Sequence, residues 1–383
     1  MSSFVKISDM PVPAPALYRW HMRPGAFMRL KPPWENVALV GGTEEVANGS
    51  RAVIEIRPGP PPVPAIRWTA EHFDIVENRS FSDRQISGPF ARWCHRHIFE
   101  EVDETSSRLE DRIDFALPLL MPGIFVKGKL ERLFQYRHDI TRGDLEIGKR
   151  FRNSGSLTIA LTGATSTPLA ADLKPFLTTQ GHRIVDEDQA EIIIQLVREK
   201  NWSQVFQELK GRRGSRRLVS VYCGRGEPDR ESLEELRRQV ETTEAGGAAA
   251  ILPGLVLDPY SAGSNTGAGT IYDSNTELSW ISQADLLDTI YTAVASSDTT
   301  GLLHAVAPTT VTASGLSDCL RRALSTFLPG PLADMKAAEL NRSILSGSRG
   351  IGAGTALVSP SQIENFRHPT PGSAMVGILG VTL

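Results

Sequence analysis

Residues 157–185 read Leu157-Thr-Ile-Ala-Leu-Thr-Gly-Ala-Thr-Ser-Thr-Pro-Leu-Ala-Ala-Asp-Leu-Lys-Pro-Phe-Leu-Thr-Thr-Gln-Gly-His-Arg-Ile-Val185. An apolar run from Leu157 to Leu161 enters a Thr-Gly turn, a helix-like stretch covers Pro168 to Thr178, and Gly181 precedes a second short apolar run. This is the opening β-α-β of a dinucleotide-binding fold. Its turn normally carries three glycines: one for the tight turn, one for close approach of backbone to a pyrophosphate, one for helix-sheet packing. Here Gly163 keeps the first place, while Ser166 and Leu169 hold the other two. The frame of a cofactor site is present, and its phosphate cradle is damaged.

Working outward, 383 residues predict two domains, with a boundary near residue 150: 1–150 and 151–383. An apolar content of 40% suffices for buried cores, and a net charge of −3 gives no reason to expect nucleic acid or an anionic membrane as partner. Cys94, Cys223 and Cys319 stand far apart, suggesting neither a disulfide framework nor a zinc knuckle. The amino terminus lacks a basic stretch before an apolar core, and no apolar run is long enough to span a bilayer, so a soluble cytoplasmic protein is expected.

Before residue 150 the pattern changes. A proline-rich start (Pro11, Pro13, Pro15) and a short helical segment broken by Pro24-Gly25 precede a series of alternating runs. Ala52 to Ile56 alternates briefly. Ile66 to Val76 places Trp68, Ala70, His72, Asp74 and Val76 on one face, and Phe81 to Ser87 does so for Phe81, Asp83, Gln85 and Ser87. Arg92 to Glu100 groups Trp93, His95, His97 and Phe99. Leu109 to Leu117 groups Leu109, Asp111, Ile113, Phe115 and Leu117. Period-two alternation with turns between the runs predicts an antiparallel sheet. Leu130, Leu133, Phe134 and Leu145 then fall at helical spacing, predicting a long amphipathic helix across that sheet. The expected architecture is an α+β helix grip, followed by an α/β Rossmann-like domain.

These residues resemble a known family. Trp20-His-Met-Arg-Pro-Gly-Ala-Phe-Met-Arg-Leu-Lys-Pro-Pro-Trp-Glu35, Arg67-Trp-Thr-Ala-Glu-His72, the stretch Phe81 to His97 and Phe134-Gln-Tyr-Arg-His138 look like the SRPBCC (START-like, polyketide cyclase/dehydrase) domain. More narrowly, they resemble bacterial proteins that fuse it to a sugar-epimerase-like short-chain dehydrogenase (NAD-dependent epimerase/dehydratase) domain. Leu161-Thr-Gly-Ala, Gly181-His-Arg, Leu218-Val-Ser, Pro253-Gly-Leu-Val-Leu257, Leu278-Ser-Trp-Ile-Ser282 and Ala307-Pro308 agree with the second half in order. The resemblance implies a helix-grip domain for an apolar ligand and a Rossmann-like domain that binds NAD(P).

The second half departs from that pattern. Val185 passes to Ile192-Ile-Ile-Gln-Leu196 in a handful of residues. A crossover needs at least about 10–12 residues, so the domain is shortened by about one β-α unit. Asp186 lies where an acid would meet the ribose hydroxyls, but Glu187 and Asp188 beside it favour a solvated loop. The Tyr-x-x-x-Lys pair common in such dehydrogenases is missing: four residues after Tyr222 stands Gly226, and no lysine occurs between Lys210 and Lys336. A pseudo-dehydrogenase is expected, with Gly163, Ser166 and Asp186 as vestiges of a cofactor site. Arg212 to Arg217 forms a basic cluster, and Ser261 to Gly269 a Gly/Ser-rich loop.

The best constellation for chemistry lies in the first domain. His72, Asp83, Gln85, His95, His97 and Asp111 are the candidate catalytic residues, and Trp68, Trp93, Phe99 and Phe115 the candidate ligand-binding wall; no metal is expected. Imidazoles and carboxylates in an apolar setting have shifted pKa values and can move protons. Three functions remain open: a cofactor-independent cyclase or isomerase acting on a hydrophobic, polyketide-like molecule in specialised metabolism, an NAD(P)-dependent epimerase or reductase, and a non-catalytic carrier of an apolar metabolite.

Overall fold

The computed structural model describes residues 2–57, 62–118, 124–198, 216–224, 230–241, 247–257, 274–325 and isolated positions between 330 and 374. The chain divides into two compact units, Met1–Arg152 with Thr178–Gly181, and Asn153–Leu177 with His182–Leu383. No described helix is long and apolar enough to cross a membrane.

The first unit comprises β1 (Ser2–Met10), α1 (Ala14–Met22), α2 (Ala26–Arg29), β2 (Val37–Gly42), β3 (Arg51–Ile56), β4 (Ile66–Val76), β5 (Ser80–Ser87), β6 (Arg92–Asp103), β7 (Ser106–Ala116) and α3 (Ile124–Arg150). The strands form one sheet in the order β1-β7-β6-β5-β4-β3-β2, antiparallel throughout. Local chemistry sets the turns: Asp103 Oδ1 accepts the Thr105 backbone N–H at 2.7 Å and its hydroxyl at 2.9 Å, an Asx turn joining β6 to β7.

Helix α3 buries Leu130, Phe134, His138, Thr141 and Leu145, a stripe at the three- and four-residue steps that share one helix face. Leu130 and Phe134 pack with Phe4, Trp93, Ile113 and Phe115 of the sheet. Burying each large apolar side chain contributes roughly 1.5–3 kcal/mol. Arg29 makes a bidentate pair with Asp144, at 2.8 Å for both bonds, which ties α2 to α3 inside this unit.

Two features differ from the sequence reading. The proline-rich start is preceded by a full strand, β1, which pairs with β7. In β4 the alternation fails after Phe73. A register irregularity precedes Val76, and Asp74 takes a φ of 52°. Ile75 therefore packs on the core while Asp74 and Val76 turn outward.

The second unit contains β8 (Thr158–Gly163), all but the last two residues of α4 (Pro168–Thr179), β9 (Arg183–Ile184), β10 (Ile192–Val197), β11 (Arg217–Tyr222), α5 (Arg230–Glu241), β12 (Ala248–Pro253), α6 (Gln283–Ala295), β16 (Gly301–Ala305) and α7 (Ala313–Ser325), with short strands β13 (Leu255–Leu257), β14 (Glu277–Leu278), β15 (Trp280–Ser282) and β17 (Val311–Thr312). Six strands form a parallel sheet in the order β16-β12-β11-β10-β8-β9. A parallel sheet covered on both faces needs near-continuous apolar strands, and Ile192–Val197 and Ala248–Pro253 supply them. A dinucleotide-binding sheet carries a further strand outside its second one. Here a single 3-10 turn at Glu187–Gln189 leads from edge strand β9 to β10 on the other side of β8. Among the described residues no strand lies outside β9 at that edge.

Candidate functional site

The side chains that gather in the first unit are placed by strand register. His72, Asp83, His95 and Ile113 oppose one another across β4, β5, β6 and β7; Phe81, His97 and Asp111 form the neighbouring row. Opposed residues on one face bring their side chains into contact, and the two-residue step from His95 to His97 keeps both imidazoles on that face.

Asp111 is the hub. Its Oδ1 accepts from His95 Nε2 at 3.0 Å, and its Oδ2 accepts from His138 Nε2 of α3 at 2.7 Å. His97 Nδ1 stands 2.6 Å from the same Oδ1, yet its direction does not make a hydrogen bond. On the other side of His95, Nδ1 lies 3.1 Å from Asp83 Oδ2, and the His95 and His97 rings are 4.0 Å apart.

Burial alone would raise the Asp111 pKa, but the charge of His97 and the three imidazole contacts hold its carboxyl well below the usual range. Burial would lower His95, and the two flanking carboxylates overcome it, pushing this imidazole up to about 9. His97 moves the opposite way: burial and then the charge on His95 lower it, with Asp111 only partly compensating. Asp83 also ends low, because His95, His97 and His72 outweigh its burial. Neighbouring imidazoles with oppositely displaced pKa values make an acid–base pair.

Aromatic groups flank the cluster. On one side Trp93 lies 5.0 Å from Trp68, 4.9 Å from Phe90 and 6.5 Å from Phe115. On the other, Phe81 stacks on His97 at 4.2 Å, with Phe99 5.9 Å from Phe81. The structure thus brings Asp83, His95, His97 and Asp111 together between Trp68, Trp93 and Phe115 on one hand and Phe99 on the other. His72 stands at the margin, its Nδ1 3.1 Å from Ser50 Oγ. Gln85 does not join them: its amide donates to Phe90 O at 2.7 Å and accepts the Phe90 N–H at 3.3 Å, clamping the loop after β5.

Three neighbours escaped the sequence reading. His138 continues the Leu130–Phe134 stripe by one further helical step. His21 of α1, buried against Phe99 and bonded to Leu17 O at 2.9 Å, is pushed down to about 3 by its burial and then by His97. Arg137 has a lowered pKa, chiefly from desolvation, and feels both Asp111 and Asp83. One ligand atom from each of Asp83, His95 and His97 lies within 4.8 Å of the other two, and these three are the ligand set among the described residues able to hold a metal ion.

In the second unit Gly163 makes the tight turn, with φ at 76°. Leu169 is buried at the start of α4, and Thr167 caps that helix by accepting the Ala170 N–H at 3.2 Å. Ser166 and Asp186 are exposed. Tyr222 belongs to the core with Val197, Leu236 and Leu252, and burial pushes its phenol up to about 12. Arg216 donates to Glu187 O and Asp188 O, and Arg217 to Ala293 O and Ser297 O, so these basic side chains serve the fold. Residues 212–215 and 261–269 lie outside the described residues.

No family model matches the sequence, and a search of the curated proteins finds no match. Among solved structures, a nucleoside-diphosphate sugar epimerase from Corynebacterium glutamicum is similar over 98% of this chain and 90% of its own, at 21% identity and a TM-score of 0.70. That likeness shows a shared fold. A START superfamily protein from Mycobacterium smegmatis matches 38% of this chain and 97% of its own, at 14% identity and a TM-score of 0.30. An aromatase/cyclase from a Streptomyces species matches 40% and 98%, at 15% identity and 0.30.

Proposed function

We propose that this protein is a non-redox enzyme of the cyclase or isomerase type, acting in specialised metabolism on an apolar, polyketide-like carbonyl compound. In this reading the first unit is a START-like helix-grip domain that holds the substrate, and the second an epimerase-type scaffold that no longer uses its cofactor. One observation carries it: His95 and His97, 4.0 Å apart, converge on one carboxylate between two aromatic groups.

Ring closure by aldol addition removes a proton from a carbon beside a carbonyl and forms a bond from that carbon to a second carbonyl carbon. The second carbonyl oxygen takes up a proton and becomes a hydroxyl. No electrons leave or enter, so no redox partner is needed. His97, whose Nε2 stands 4.0 Å from Asp83 and so beyond hydrogen-bond distance, can accept the first proton and donate the second, while the positive His95 ring 4.0 Å away stabilises the developing charge. Holding both ends of one chain together supplies up to about 7–11 kcal/mol of the barrier. Asp111 and His138 position the pair without touching substrate.

A nicotinamide dinucleotide, implied by an epimerase-type fold, fits these residues poorly. Side chains occupy two of the three glycine places, and Tyr222 sits fully buried in the core with Gly226, not lysine, four residues on. The reading is tested by incubating the purified protein with linear poly-β-carbonyl compounds without nicotinamide. A cyclised product of equal mass, or of that mass less water, supports it; turnover that requires NADH or NADPH overturns it.

A further inference from the structure

We infer that Asp83, His95 and His97 form a binding site for one divalent transition-metal ion. Asp83 Oδ2 lies 3.1 Å from His95 Nδ1 and 4.0 Å from His97 Nε2, and the three residues each offer a ligand atom within 4.8 Å of the others. Bonds of about 2.0–2.1 Å to one tetrahedral ion place its ligands roughly 3.3 Å apart. Small side-chain rotations therefore close the set. The placement is set by the strands: Asp83 opposes His95 directly, and His97 follows two residues on along the same face.

A second, independent feature points to an ion. The far nitrogen of each imidazole faces one oxygen, Asp111 Oδ1, at 3.0 Å for His95 and 2.6 Å for His97, and Asp111 is itself held by His138 at 2.7 Å. Metal-bound histidines are oriented in this way, the nitrogen away from the ion facing a carboxylate that fixes the tautomer. The arrangement also accounts for His97 Nε2, which stands beyond hydrogen-bond reach of Asp83.

Two imidazoles and one carboxylate suit zinc or ferrous iron better than the soft ions that thiolates select, and they leave a coordination position open for water or a substrate oxygen. Bound there, the ion would replace the proton shared by Asp83 and His95 and present a positive centre to the same carbonyl. The inference rests on the geometry of the cluster and does not depend on the cyclase reading.

The test is titration of the chelator-stripped full chain with Zn2+ by calorimetry and with Co2+ by visible absorption. We expect one ion per chain and the intense cobalt bands of a four- or five-coordinate centre. Asp111→Asn should weaken binding about 10–100-fold, and Asp83→Asn and His97→Gln should weaken it further; melting curves check that each variant is folded. Absence of stoichiometric binding overturns the inference. So does an affinity unchanged in both Asp83→Asn and His97→Gln, which would mark adventitious binding elsewhere. Because no substrate is involved, this result is read separately from turnover.

Discussion

His97 and Asp111 oppose each other directly across β6 and β7, with the imidazole Nδ1 2.6 Å from the carboxylate Oδ1. His95 and His138 reach the same carboxylate, so one buried aspartate serves three rings drawn from a strand and a helix.

Removing that carboxylate strands the buried imidazoles of His95 and His138 and the partly buried ring of His97. Breaking a buried charged network by deleting one partner costs about 3–5 kcal/mol, and Asp111→Ala should destabilise the first unit by this order. Asp111→Asn retains a hydrogen-bonding amide and should cost less. Denaturant unfolding followed by tryptophan fluorescence reads the difference, since Trp20 and Trp93 are buried in this unit. A loss below about 1 kcal/mol, the worth of an ordinary hydrogen bond, would contradict the hub.

His21 gives a pH dependence of fixed sign. The folded state keeps this ring neutral, pushed down to about 3, whereas the unfolded ring takes its proton near the ordinary value of about 6.5. The unfolded state therefore binds more protons below that value. Stability is unaffected by His21 above it and is lost as pH falls from 6.5 towards 3, by up to roughly 1.4 kcal/mol per pH unit. In His21→Phe this slope disappears. Stability measured against pH for both proteins isolates the contribution, and parallel curves would refute it.

Gly163→Ala tests the turn after β8. The φ of 76° and a Cβ that would meet Leu196 O at 2.3 Å leave no unstrained place for a side chain. The left-handed conformation alone costs about 1–2 kcal/mol, and the clash with backbone adds to it. Thermal unfolding of the variant should show at least this loss; an unchanged melting temperature would mean that the turn relaxes freely.

The sheet of the first unit was largely legible because β4 to β7 alternate aromatic or imidazole residues with exposed polar ones. β1 was not, because its alternation runs against the rule: Val5 and Ile7 are exposed, while Lys6 lies on the covered face and reaches Glu131 and Gln135 of α3 at 2.6 Å. Four members of the cluster share strand faces and could be grouped by period two. His138 could not, since only tertiary packing brings a residue of α3 to Asp111; its one signal was the continued spacing from Phe134. Gln85 kept the right parity and still went elsewhere, because the loop at Phe90 offered backbone groups closer at hand. In the second unit the short Val185–Ile192 connection was legible in the same way, because chain length alone leaves no room there for a crossover helix, and it holds a 3-10 turn at Glu187–Gln189.

If the second unit is a scaffold, Tyr222→Phe should leave turnover unchanged, and fluorescence titration with NADH or NADPH should show no saturable binding up to millimolar concentration. Micromolar binding would return the redox reading to the front.

The most direct test of the cyclase account is turnover of a linear poly-β-carbonyl substrate, without nicotinamide, by the wild-type chain and by the double variant His95→Gln/His97→Gln. Glutamine keeps a donor towards Asp111 and removes the titrating ring. The account predicts product with the wild type and a fall in rate of at least about 100-fold in the folded double variant, the scale of general acid–base catalysis. An equal rate in both proteins would contradict it.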